Sequence, residues 1–167
     1  PDQAKLIRAY SHLSKITNDD KVRTVVDNSV SFVINKFLDK NGGFYSSQDA
    51  YLEDEYFTLS EKERQKMNSP YIDKTRNIDL NSKMISTFLY MYNIYGDEQY
   101  KEISENSLDF LQNNLIGEEG AYYYLDYEQE KPSLTGQSIS NSWAILTFLA
   151  GYDILKKQEY LTTAREI

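Results

Sequence analysis

Residues 80–126, LNSKMISTFLYMYNIYGDEQYKEISENSLDFLQNNLIGEEGAYYYLD, repeat residues 2–48, DQAKLIRAYSHLSKITNDDKVRTVVDNSVSFVINKFLDKNGGFYSSQ, without a gap at an offset of 78. Ten positions are identical, among them Lys5/Lys83, Ile7/Ile85, Asp19/Asp97, Asn28/Asn106, Phe32/Phe110, Gly42/Gly120 and Tyr45/Tyr123. Conservative pairs such as Leu6/Met84, Tyr10/Phe88 and Leu13/Met91 fill apolar positions between them. A third copy begins near Ser140 at an offset of 60 from the second, matching Asn141 to Asn81, Ile145 to Ile85, Phe148 to Phe88 and Tyr160 to Tyr100. Self-similarity at such a period is the signature of a repeat architecture.

Each copy reads as two helices and an extended segment. Leu6, Ile7, Tyr10, Leu13 and Ile16 recur at helical spacing in the first copy. Thr17-Asn18-Asp19 breaks that pattern and offers N-cap chemistry to a second helix striped by Val22, Val25, Val26, Val30, Val33 and Phe37. Asn41-Gly42-Gly43 is expected to end that helix, because glycine accepts the left-handed backbone a C-cap needs. In the second copy the helix from Met84 to Ile94 is apolar almost all round, which marks burial on more than one side. First helices more apolar than second ones predict an all-α toroid, one ring of helices inside another. On this reading hairpin 1 covers about 2–48, a loop insert 49–79, hairpin 2 about 80–126 and a truncated hairpin 3 about 137–167. All belong to one partial (α/α)-barrel domain spanning 1–167.

The 167 residues carry a net charge of −8, with Lys/Arg clusters no longer than two, which argues against a nucleic-acid surface. With no cysteine, disulfides and thiolate chemistry are excluded, and the single His12 disfavours a histidine-rich zinc site or a Ser-His-Asp triad. His12 reads as an ordinary surface or half-buried histidine. No apolar run reaches the roughly 18–20 residues that span a bilayer. The absence of an initiator Met and of a signal-like start predicts a chain that begins inside a longer protein, and an acidic surface without anchors fits a cytoplasmic one. Aromatic residues make up 14% of the chain, which serves a packed helical core or, as the lesser reading, a sugar-binding cleft. The acidic runs Glu53-Asp54-Glu55 and Glu118-Glu119 lack a calcium-ligand spacing and read as solvent-facing. No metal or cofactor is expected.

Carboxylates are the chemistry left to weigh. Glycoside hydrolysis needs two of them across a bond, and sugar epimerisation a proton acceptor and donor about one carbon. Asp49, Asp73 and Asp79 are the catalytic candidates, placed by the repeat in loops at one end of the toroid. For Asp49 and Asp79 a helix-cap or loop-acceptor role competes with that reading. Tyr45, Asn81, Tyr123 and Trp143 are candidates for ligand contact, the rings by stacking on sugars. Asn81 and Asn141 begin equivalent helices, so a repeated structural cap is the competing account.

Gly42-Gly43-Phe44-Tyr45-Ser46-Ser47-Gln48-Asp49-Ala50, Pro70-Tyr71-Ile72-Asp73 and Asp79-Leu80-Asn81-Ser82-Lys83-Met84-Ile85 come in an order that resembles the YyaL-type family, related to spermatogenesis-associated thioredoxin-domain proteins. That resemblance implies a six-hairpin glycosidase-like (α/α)6 barrel, of which this chain would be less than half, and a carbohydrate-like ligand. Tyr51, Leu80, Ser82 and Ser140 stand where the family pattern has an acid, a tryptophan, a glycine and an acid. Two functions are therefore carried forward, a domain that binds or acts on a saccharide and a non-catalytic scaffold with a degenerate site; whether it is an enzyme stays open. A barrel cut after its third inner helix is also expected to expose Trp143, Phe148 and Leu149 and to self-associate through them.

Overall fold

The computed structural model describes residues 2–49 and 54–167; Tyr51 and Glu53 lie outside the described residues. Helices α1 (Asp2–Thr17) and α2 (Asp20–Phe37) form the first hairpin. Strand β1 (Ser47–Gln48), short helices α3 (Asp54–Thr58) and α4 (Glu61–Arg64), and strands β2 (Ile72–Asp73) and β3 (Arg76–Asn77) lead to the second. That hairpin is α5 (Ile78–Tyr95) and α6 (Glu98–Leu115), followed by β4 (Ile116–Gly117), β5 (Gly120–Ala121), β6 (Tyr124–Leu125) and β7 (Pro132–Ser133). Helices α7 (Ser138–Leu155) and α8 (Gln158–Glu166) make the third.

The repeat recurs in the backbone. Asn18, Gly96 and Lys156 occupy one repeat position, between the two helices of each hairpin, and all three are left-handed, with φ of 51°, 70° and 60°. Asp19 and Asp97 then cap α2 and α6, each accepting from the amide two residues on, at 2.8 and 2.9 Å. Gly42 and Gly120 are a second matched pair, with φ of 92° and 103°. A Cβ on Gly42 would sit 2.4 Å from the Asn106 carbonyl oxygen, so that turn admits only glycine. These glycines do not cap α2 as the sequence predicts: the helix stops at Phe37, where the Leu38 amide donates to the Val33 carbonyl, and the glycines shape the turn beyond it.

Helices α1, α5 and α7 form one layer and α2, α6 and α8 the other. Helix α5 packs against α1 on one flank, α7 on the other and α6 behind. That explains its apolar circumference: Ile85, Phe88, Leu89 and Met91 are fully buried. Phe88 stacks on Phe44 at 5.6 Å between centroids and tilts against Tyr100, and Phe148 packs on Tyr160 in the third hairpin. Small antiparallel ladders close one end. Ser47 of β1 lies opposite Asp73 of β2, and β6 is central between β3 and β7, with Arg76 opposite Leu125 and Tyr124 opposite Ser133. Strand β3 runs directly into α5, so these ladders sit at the N-terminal ends of the inner helices.

Two expectations about faces are corrected. Of the predicted α1 stripe only Ile7 is buried; Leu6, Leu13 and Ile16 are 50%, 43% and 66% exposed, because α2 and α5 cover the other side of the helix, at Ala4, Ser11 and Ser14. Phe148 is not exposed at the far end but fully buried against Tyr160, and Trp143 is half-buried. Leu149 is 40% exposed, and the other open apolar side chains of α7 are Ile139 and Leu146.

Candidate functional site

Of the three candidate acids, Asp49 and Asp73 lie along the β1–β2 ladder and Asp79 lies on α5. Asp79 is not in a loop: α5 begins at Ile78, which puts Asp79 in its first turn, where a carboxylate suits the helix dipole. Its Oδ2 accepts from Lys83 Nζ at 2.8 Å, one turn on. Asp73 lies in β2 rather than in a loop, and its Oδ1 accepts from the Thr75 amide at 2.9 Å, closing a local turn. Asp49 follows β1, its amide donating to the Tyr71 carbonyl at 2.8 Å. A cavity of about 370 Å³ opens beside the segment 44–48, its apolar wall including Phe32, Phe37, Phe44, Phe57, Leu80 and Met84 and its polar lining Asp2, Gln3, Tyr45, Ser46, Ser47 and Gln48. Tyr45 is the one candidate residue on its wall. Asp73 faces a separate hollow of about 320 Å³ with Lys74, Asp126, Tyr127 and Glu128.

Asn81, a candidate for ligand contact with a structural cap as the competing account, sits inside the protein. Its side chain is fully buried. Oδ1 accepts from the Phe44 amide at 2.6 Å, and Nδ2 donates to the carbonyls of Phe44 at 3.0 Å and Asn77 at 2.9 Å. It thus fastens the turn of the first repeat to the start of the second. Asn141 does the same one repeat later, its Oδ1 accepting from the Ala121 amide at 2.9 Å. Tyr123 is half-buried and is held through its backbone, accepting from Ile78 and donating to Ser133 and Leu134.

Trp143 has a more chemical setting. Lys83 Nζ stands 4.8 Å from the centre of its ring while ion-paired to Asp79. An aromatic face, a cation and a carboxylate therefore meet across α5 and α7 near the helix N-termini. The residues involved are 60 apart, the offset between the second and third repeats.

Sequence reading passed over a second constellation behind Tyr45. The Tyr45 hydroxyl donates to Asp39 Oδ2 at 2.6 Å, and Arg76 NH1 reaches the same oxygen at 3.4 Å. Both members of that ion pair are about nine-tenths buried. The guanidinium lies over Phe110 and Tyr127 at 5.2 and 5.6 Å, and Lys74 Nζ lies 4.7 Å from the Tyr127 ring centre. Burial first, then the hydrogen bond and charge of Asp39, push the Tyr45 hydroxyl up to about 12. Tyr160 is shifted in the same direction by burial and by Asp109, whose Oδ1 accepts its hydroxyl proton at 3.0 Å. The Asp39–Arg76 contact spans 37 residues and follows no helical or repeat spacing, so no local pattern signals it.

No helix of the described residues is long and apolar enough to cross a membrane. No family model matches the chain, and no curated protein sequence does. Solved structures match it closely in shape at low identity. They include a cellobiose 2-epimerase from Spirochaeta thermophila (TM-score 0.76, 10% identity, covering 98% of this chain and 40% of that one). A GH76 α-mannanase from Bacteroides thetaiotaomicron gives a TM-score of 0.69 at 15% identity, covering 99% and 41%. An unsaturated glucuronyl hydrolase from Bacillus sp. GL1, responsible for the degradation of glycosaminoglycan, gives 0.65 at 13%, covering 99% and 43%. The chain spans about two fifths of the length of these structures. Its fold is an all-α, (α/α)-toroid one, and these likenesses carry the fold without the YyaL-type family.

Proposed function

We propose that this chain is a carbohydrate-binding portion of an α/α-toroid domain, with Trp143, Lys83 and Asp79 forming the contact surface. The observation that carries the reading is the Lys83 ammonium held between the Asp79 carboxylate and the Trp143 ring. Sugars are bound by this combination, an aromatic face for the ring's C–H surface beside charged groups for its hydroxyls. The shape shared with an epimerase and two glycoside hydrolases supports it, as does the GGFYSSQDA wording of 42–50 that resembles the YyaL-type family.

The second reading, a scaffold with a degenerate site, is favoured by the local partners of two of the candidate acids. Asp79 is bound to Lys83 and Asp73 to its own turn, and none of the three acids lines the cavity beside Tyr45. Calorimetric titration of a panel of neutral and acidic disaccharides separates the two. Binding is expected to fall about tenfold in Trp143→Ala, the loss of a stacking contact of about 1.4 kcal/mol, and to be unchanged in Asp49→Asn. Absence of binding by every member of the panel overturns the saccharide reading in favour of the scaffold.

A further inference from the structure

Equivalent residues of neighbouring repeats touch each other on one side of the inner layer. Arg8 NH1 donates to the carbonyl of Ser86, 78 residues on, and His12 Nδ1 lies 2.6 Å from the hydroxyl of Tyr90, again 78 residues on. Lys83 meets Trp143 at the offset of 60. Side chains at one repeat position meet directly only where the repeats converge, on the concave side of their curvature. The outer helices α2, α6 and α8 pack on the other side.

That concave face is built in layers. Lys5, Lys83 and Trp143 share one repeat position; Arg8, Ser86 and Leu146 the next; His12, Tyr90 and Ala150 the third. None of the nine is acidic, in a chain of net charge −8. Lys83 is neutralised by Asp79, but neither Lys5 nor Arg8 takes part in any ion pair among the described residues. Both are exposed. Arg8 is held rather than loose: its guanidinium lies 4.6 Å from the centre of the Tyr90 ring, and its one hydrogen bond is the long 3.5 Å contact to Ser86. Lys5, Arg8, Ala9, His12 and Tyr90 together outline an open hollow of about 530 Å³. A planar guanidinium fixed on an aromatic face, with most of its donors unused, is suited to paired hydrogen bonding with a planar carboxylate.

We infer that the concave face selects an acidic saccharide, one whose sugar ring carries a carboxylate, with Arg8 and Lys5 binding the acid while Tyr90 and Trp143 take the ring faces. The inference rests on the saccharide reading above and adds to it the sign of the ligand's charge.

The test is calorimetric titration of the 167-residue chain with two disaccharides that differ only in carrying glucose or glucuronate at the non-reducing end. The glucuronate form is expected to bind roughly tenfold more tightly at low salt. That preference should shrink toward one in Arg8→Gln, in Lys5→Gln by a smaller factor, and in 0.5 M salt, where the Debye length falls to about 4 Å. Arg8→Lys keeps the charge and loses the planar fork, so it should recover part of the preference. Circular dichroism of each variant confirms that the helices are intact, and Lys5, exposed and without an ion pair, provides a variant free of packing effects. Equal binding of the two sugars, indifferent to Arg8→Gln and to salt, overturns the inference and leaves the saccharide reading standing. No binding of either sugar brings down both.

Discussion

Replacing Asn81 with alanine takes three hydrogen bonds from a site without solvent and leaves the amide and carbonyl of Phe44 unpaired. Each buried group so orphaned costs about 1–3 kcal/mol, so a loss of roughly 3 kcal/mol in unfolding free energy is expected. The Asn141 side chain accepts one hydrogen bond, from the Ala121 amide, and is only half-buried. Asn141→Ala should cost nearer 1 kcal/mol. Chemical denaturation of the two variants measures the difference; equal losses would refute the account of Asn81 as the tighter latch. The sequence showed the two asparagines as a pair, since they fall at one repeat position. It could not show which way their amides turn, because the partner lies 37 residues away in an irregular turn. For the same reason Asp39 and Arg76 were invisible: burial of a charge is decided by tertiary packing, and no local pattern encodes it.

The segment between α2 and β1 is held by a clamp of different character. Tyr45 closes it through Asp39, and the tyrosine is most stable there as a neutral hydrogen-bond donor. Its folded-state value of about 12 exceeds the ordinary value of 10, so the unfolded chain loses its proton first as pH rises. The contribution is therefore complete below about pH 10 and is lost as pH climbs through about 12. Wild-type protein is expected to lose thermal stability over that interval more steeply than Tyr45→Phe, which is less stable at neutral pH but lacks this titration. Parallel melting curves for the two proteins across pH 9–12 would fail the idea. The helices themselves were legible with unusual clarity. Their apolar spacing and the N-cap chemistry at Asp19 act locally, which is why they could be read from the chain. The end of α2 was misplaced because Gly42 and Gly43 serve a turn that approaches Asn106 and Phe110, a demand from another element.

At the scale of the molecule, the layer of inner helices is unfinished at both sides. Leu6, Tyr10 and Leu13 of α1 are 50%, 39% and 43% exposed, yet their repeat equivalents Met84, Phe88 and Met91 are buried. The first helix therefore carries side chains of the kind its equivalent buries inside the layer. At the opposite side α7 leaves Ile139, Leu146 and Leu149 open. Joining the α7 side of one copy to the α1 side of a second continues the layer head to tail and covers both. This 167-residue chain is expected to sediment as a concentration-dependent dimer, and Leu6→Glu with Leu13→Glu to shift it toward monomer without loss of helix content. A wild-type chain that sediments as a monomer at tens of micromolar would refute the pairing. The curvature was foreseeable from the contrast between inner and outer helices. The exposed stripe on α1 was not, since a hydrophobic period reports which face wants cover and is silent on whether a neighbour supplies it.

The asparagine latch reaches forward along the chain, from the start of one repeat to the turn that ends the previous one. During synthesis α1 and α2 emerge before α5, and the amide and carbonyl of Phe44 lack their side-chain partner until residue 81 has left the ribosome. The same delay recurs between Ala121 and Asn141. Each hairpin thus waits for its successor before its tip sets, and folding advances one repeat behind translation.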